Sequence, residues 1–242
     1  MSTPPTGRQC AGRRRFVRYF GDRPCVFLAV VYATGDQQAL QNVESARNSE
    51  ADGVFLVNYG LDSRGLLEVA KLAVERHPHF FIGVNCLDLS IRETVRRIPS
   101  GLAGVWTSRE SVRESVGEVD LLRRARESAG WDGLIFAPAP SHSKLIEQSD
   151  AANAPENTYG IDVPTIQGVR PAALKSRCRK LKSSSPDQPL GLAAAVDSIA
   201  IDEAAPYVNS IMTSASSDHS SLSRLDSGEA RRLAARVRDW PS

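Results

Sequence analysis

The sequence predicts an α/β protein folded as a (β/α)8 TIM barrel, a closed, parallel, eight-stranded sheet ringed by helices. Three observations carry this expectation. Eight short runs are apolar throughout rather than alternating, as expected of parallel strands covered on both faces. Helix-period segments separate them. The 242 residues match the roughly 250 that eight βα units occupy. A doubly wound open sheet is the rival, but its glycine-rich first turn would have to be YATGD, with Gly35 alone.

In chain order the strands read CVFLAVVYA (25–33), DGVFLVNYG (52–60), FFIGVNCL (80–87), AGVWTS (103–108), DGLIFAPA (132–139), GIDVPTI (160–166), PLGLAAAV (189–196) and NSIMTSA (209–215). Residues 1–15 read as a flexible basic N-terminus and 16–242 as one barrel domain, with Phe16, Val17, Tyr19 and Phe20 forming an amphipathic plug under the barrel floor. The first crossover helix opens on Asp36. The second, in DSRGLLEVAKLAVERHP, has Asp62 as N-cap, an apolar stripe through Leu66, Leu67, Ala70, Leu72, Ala73 and Val74, and Pro78 past its end. DLSIRET reads as a helix start with Asp88 or Ser90 as cap and Glu93 closing a capping box. ESVRESVGEVDLLRRARESAG (110–130) suggests a helix either extended or broken, with Gly117 at the break. SHSKLIEQSDAANAPENTY (141–159) suggests a short helix and a polar loop, and SRCRKLKSSSPDQ (176–188) a solvated basic helix end on the bottom face. The last helix opens on Asp226 or Ser227 and places Ala230, Leu233, Ala234 and Val237 on one face.

Composition narrows the function classes. A hydrophobic content of 41% with 24% charged residues suits a soluble globular protein. A net charge of +2 is no footprint for nucleic acid, so no nucleic-acid partner is expected. Cys10, Cys25, Cys86 and Cys178 are scattered, which argues against a disulfide framework or a metal site and for a reducing cytosol. No apolar run reaches the roughly 18–20 residues of a membrane span. The start is basic and has no acidic residue before Asp22, so organelle targeting stands as the alternative to a cytoplasmic location. No Walker loop, GxSxG elbow, HExxH helix or EF-hand loop occurs.

Functional side chains of such barrels come from the C-terminal ends of the strands. Those ends carry Tyr32, Thr34, Asn58, Tyr59, Asn85, Asp88, Thr107, Arg109, His142, Lys144, Asp162, Thr165, Asp197, Thr213, Ser214 and Ser216. Asn58 and Asn85 end apolar strands, where a buried amide must find partners; they bind a ligand's hydroxyls or carbonyl, or else tie loops together. Asp88 is a general base or a helix cap. Arg109 is the strong cation beside a strand end, suited to an anionic ligand group, or else a helix-surface arginine. Thr107, Thr213, Ser214 and Ser216 complete the expected ligand-binding set. Cys86 points away from the Asn85 side and reads as an inert buried thiol. Lys144 lies in a polar loop, unlike a desolvated Schiff-base lysine. Asp162 lies early in its strand, where it either faces the barrel interior low down or pairs with a bottom-face arginine, too low for a catalytic role. No catalytic residue and no cofactor can be assigned.

From about Phe16 to Trp240 the chain resembles the BtpA-like family of phosphate-binding-type TIM barrels. The resemblance is clearest in QALQNVESARNSEADGVFLVNYG, FFIGVNCLDLS, AGVW, AGWDGLIFA, YGIDVPT, PLGLAAAVD and YVNSIMTSAS followed by LDSGEARRLAARVRDW. It implies a phosphorylated small metabolite as ligand, and a homo-oligomer is compatible with it. Members carry small-residue pairs after strands seven and eight, where backbone amides close on phosphate. Here those stretches read AAAVD (193–197) and TSASS (213–217), without glycine, and Ser108 and Arg109 replace an acid and an amide. Two functions therefore stay open. One is a metabolite-binding or scaffold pseudoenzyme with an eroded phosphate site. The other is an active enzyme on a phosphorylated sugar or nucleotide, performing isomerisation, aldol-type cleavage, or glycosyl or phosphoribosyl transfer.

Overall fold

The computed structural model describes residues 10–107, 116–139, 160–168, 171–193, 202–215 and 224–240. The strands are β1 (Val26–Ala33), β2 (Gly53–Asn58), β3 (Phe81–Asn85), β4 (Gly104–Trp106), β5 (Leu134–Pro138), β6 (Val163–Gln167), β7 (Gly191–Ala193) and β8 (Ser210–Thr213). All pairings are parallel, and β8 returns to β1, which closes the barrel. Seven of the strands fall within the apolar runs expected for them, and β6 runs one residue past its run, to Gln167. The described helices are α1 (Ala11–Phe20), α2 (Asp36–Asn48), α3 (Ser63–Arg76), α4 (Ile91–Arg97), α5 (Val116–Ser128), α6 (Pro171–Ser184) and α7 (Ser227–Arg238).

Local sequence explains the helix starts. Asp62 caps α3 by accepting from the Gly65 amide, and Asp226 caps α7 by accepting from Gly228 and Glu229. Ser90, not Asp88, caps α4, and Glu93 completes the capping box. α5 is described from Val116, so the preceding part of the 110–130 segment, and with it the expected break at Gly117, lies at the edge of the described residues. The 141–159 segment lies outside the described residues. On the bottom face, Lys182 is not a solvated helix-end lysine: its ammonium donates to the Gln188 carbonyl (2.8 Å) and to Asn209 Oδ1 (3.0 Å).

The register sorts every strand residue between two cores. Val26, Leu28 and Val30 of β1, Phe55 and Val57 of β2, Phe81, Leu134, Phe136, Val163, Ala193 and Met212 pack inside the barrel. Their neighbours Phe27, Ala29, Val31, Val54, Leu56, Ile82, Val84, Ile135, Ile166, Leu192 and Ile211 pack outward against the helices. Glycines make the aromatic interior possible. A Cβ on Gly83 would lie 2.3 Å from Phe55 Cε1, and one on Gly104 would lie 2.6 Å from Phe81 Cζ.

The floor plug starts earlier than the boundary at residue 16. Cys10 caps α1 and Gly12 packs against the Asp162 backbone, so residues 11–15 are helix rather than a flexible arm. Phe16 and Phe20 are buried, and the Phe20 ring stands 4.8 Å from that of Phe81. Arg15 then locks the helix down through Asp132 (2.5 Å) and Asp162 (2.8 Å). These anchors are polar and come from distant residues, which is why an apolar pattern begins the plug only at Phe16.

Candidate functional site

At the C-terminal mouth, the same alternation decides which side chains face a ligand. Tyr32, Asn85, Trp106, Pro138 and Gln167 share the inward parity of the interior core. Ser214 follows β8 directly on the same parity. Asn85 is 2% exposed. Trp106 packs edge-on to Phe55, and its indole Nε1 is buried with no partner among the described residues. Gln167 donates to Thr165 Oγ1 (2.9 Å) and more weakly to the Thr107 carbonyl (3.4 Å). Tyr32 meets exposed Tyr59 edge to face at 5.7 Å, and burial, reinforced by Tyr59, raises its phenol above the ordinary range.

Several expected ligand contacts lie elsewhere. Asn58 has the outward parity of Val54 and Leu56 and ties two loops: its Oδ1 accepts from the Leu87 amide (2.6 Å) and its Nδ2 donates to Asp88 (2.8 Å). Asp88 sits exposed on the rim and also accepts from the Ser63 hydroxyl and amide. Burial alone would raise its pKa, but hydrogen bonds from Ser63 and Asn58 hold it below the ordinary carboxylate value. It is therefore a poor base. Thr107 and Thr213 also take the outward parity, against the helix layer. Arg109 and Ser216 lie outside the described residues, as do His142, Lys144 and Asp197. The mouth thus brings Asn85 and Ser214 together with Tyr32 and leaves Asn58, Thr107 and Thr213 behind it.

Trp106 and Gln167 were missed as site residues because both sit inside apolar strands, where a tryptophan or glutamine reads as core or strand end. Period-two counting from the inward-facing phenylalanines would have found them. Every inward-facing residue of the eight strands is uncharged, from Val26 round to Met212. Cys86 takes the outward parity and is buried, and burial raises its thiol pKa. Among the described residues no cluster of His, Cys, Asp or Glu could hold a metal ion, and no helix is long and apolar enough to cross a membrane. Such a mouth can bind through aromatic faces, amides and hydroxyls; its inward-facing strand residues, all among the described ones, offer no proton-transfer pair.

No protein-family model matches the sequence, and no curated protein matches it. Solved structures do resemble the fold. Tryptophan synthase from M. tuberculosis superposes with a TM-score of 0.67 at 15% identity, covering 96% of this chain and 100% of that one. KGPDC from Streptococcus mutans, in complex with D-R5P, gives 0.63 at 10% identity over 90% and 100%. Phosphoribosyl anthranilate isomerase from Thermus thermophilus gives 0.60 at 14% identity over 88% and 98%. Similarity at these identities establishes the architecture: this chain is a (β/α)8 TIM barrel.

Proposed function

We propose that this barrel binds an uncharged or weakly charged small metabolite at its C-terminal mouth and has diverged from phosphate-gripping barrels of the BtpA-like kind. One observation carries the reading: the inward-facing strand residues contain no acid, base or lysine. Catalysis of isomerisation or aldol cleavage needs a proton-transfer group or an amine within reach of the substrate. The Trp106 indole N–H, buried without a partner among the described residues, and the buried Asn85 amide favour a ligand that supplies acceptors between aromatic faces. Of the residues expected to hold an anion, Ser214 is described and stands on the inward parity. Without glycines in AAAVD and TSASS, backbone amides there approach an anion less closely, and phosphate or ribose 5-phosphate should bind this mouth only in the millimolar range.

A second reading, an active enzyme on a phosphorylated sugar, draws on the named activities and ligand of the structural neighbours. Thermal-shift screening of a metabolite library separates the two. A ligand at 100 times its Kd adds about 2.7 kcal/mol of stability. The proposal expects hits whose shift disappears in Asn85→Ala and Trp106→Phe and which the protein does not turn over. Turnover of a phosphorylated hit, or micromolar binding of it that Ser214→Ala abolishes, would establish the enzyme instead.

A further inference from the structure

The two sides of the mouth differ in chemistry. On the β1–β4 side, Tyr32, Leu87 and Trp106 pack against the interior core, and each is half-buried, so part of each stays reachable. Behind them the Phe55 ring stands 5.9 Å from Trp106 and 5.0 Å from Phe136, which gives this side an aromatic backing. Tyr59, 62% exposed, carries the aromatic surface outward from Tyr32. Across the barrel, the inward positions of β6 and β7 hold small or polar residues: Thr165, Gln167, Gly191 and Ala193. Ser214 follows β8 on the same parity. One wall is flat and aromatic, the other small and polar.

Resting on the mouth-binding function above, we infer that the ligand is a neutral, flat nitrogen heterocycle carrying a cyclic amide, of the nucleobase type. A flat ring gains from stacking on aromatic faces, and Tyr32 of β1 and Trp106 of β4 present them on either side of Asn85. The Trp106 indole can donate but not accept, and its N–H is buried with no partner among the described residues. A ring carbonyl answers it with an acceptor that brings no proton of its own. The Asn85 carboxamide sets a donor beside an acceptor, the complement of adjacent ring C=O and N–H groups. A sugar hydroxyl, by contrast, brings a proton that needs an acceptor in turn. A carboxylate or phosphate ligand meets no counter-charge among the inward-facing strand residues. The Tyr32 phenol, raised above its ordinary range by burial and by Tyr59, stays protonated and adds a neutral donor.

The test titrates the full chain by calorimetry with uracil, hypoxanthine, indole and methyl glucoside. Uracil or hypoxanthine should bind with a submillimolar Kd. Trp106→Phe keeps an aromatic ring but removes the N–H, and it should weaken that binding at least tenfold. Asn85→Ala should do the same, and Tyr32→Leu, which takes away a stacking face, should weaken all flat ligands alike. Indole stacks but has no carbonyl, so it should bind at least tenfold more weakly than the better of the two cyclic amides. Indole binding as tightly as they do would overturn the inference, as would heterocycle binding unchanged in both Trp106→Phe and Asn85→Ala. Methyl glucoside bound in place of the heterocycles, with the same dependence on Asn85 and Trp106, would overturn it while leaving the mouth-binding function intact. Failure of both uracil and hypoxanthine to bind would overturn it too, and hits from the wider metabolite library would then support the mouth function alone.

Discussion

Replacing Asp162 with Asn removes one charge from the least solvated point of the floor. The carboxylate is wholly buried and accepts from Arg15 (2.8 Å), from Arg126 (2.9 Å) and from the Ile135 amide (2.9 Å). Asn keeps an oxygen for the Ile135 amide and nearly the same volume, so packing is spared. What is lost is the counter-charge of Arg126, whose side chain is 9% exposed and also donates to the Gly133 carbonyl. Leaving one member of a buried pair without its partner costs about 3–5 kcal/mol. Total stabilities run at about 5–15 kcal/mol, so the variant should be severely weakened. For a chain of this size each kcal/mol is worth roughly 2–4 °C, which puts the fall in melting temperature at about 6–20 °C. Urea unfolding gives the free energy directly. The partner variant Arg126→Met and the double variant complete a cycle, in which the double should be less destabilised than the sum of the singles by about 2 kcal/mol. A loss below about 1 kcal/mol for Asp162→Asn, or additivity within about 0.5 kcal/mol, would refute the assignment of Asp162 as the charge that holds the floor.

Four further outcomes follow from the geometry. Asn58→Ala leaves the Leu87 amide without its acceptor and should cost about 1–3 kcal/mol in urea melts while leaving mouth ligands bound; loss of ligand with unchanged stability would return Asn58 to the site. Asp88 has a depressed native pKa, so its tie contributes fully above the unfolded carboxylate value near 3.9 and is lost as pH falls through the lower native value. The acid limb of stability against pH should therefore flatten in Asn58→Ala, and an identical limb in both proteins would contradict the tie. Gly83→Ala drives a methyl into the Phe55 ring and should cost about 1–3 kcal/mol or more, whereas Gly35→Ser, with open space around the α2 cap, should change stability by only a few tenths of a kcal/mol. All four cysteines are buried, and burial pushes the Cys178 thiol up to about 11, so Ellman's reagent should label none of them in the native protein and all four in urea; rapid labelling of a native thiol would show that its surroundings open.

The sequence alone determined the architecture, because parallel strands buried on both faces need unbroken apolar runs and each run here is short, strong and followed by a helix. It also determined the caps at Asp62 and Asp226, whose bonds reach only two or three residues along the chain. It did not determine which strand-end residues face a ligand. That choice turns on register, and a shift of one residue exchanges the barrel interior for the helix layer. Asn58 and Asn85 look alike as strand ends, yet β2 closes on an outward position and β3 on an inward one. One became a loop tie and the other a mouth residue. Trp106 and Gln167 entered the mouth for the same reason. The floor cluster lay still further from sequence reasoning, since Arg15, Arg126, Asp132 and Asp162 meet across separations of 30 residues and more. Local pattern encodes which segments are strands and helices; only closure of the barrel brings Arg15, Arg18 and Arg126 around the two carboxylates of Asp132 and Asp162, because charge pairing between distant segments leaves no periodic trace in the chain.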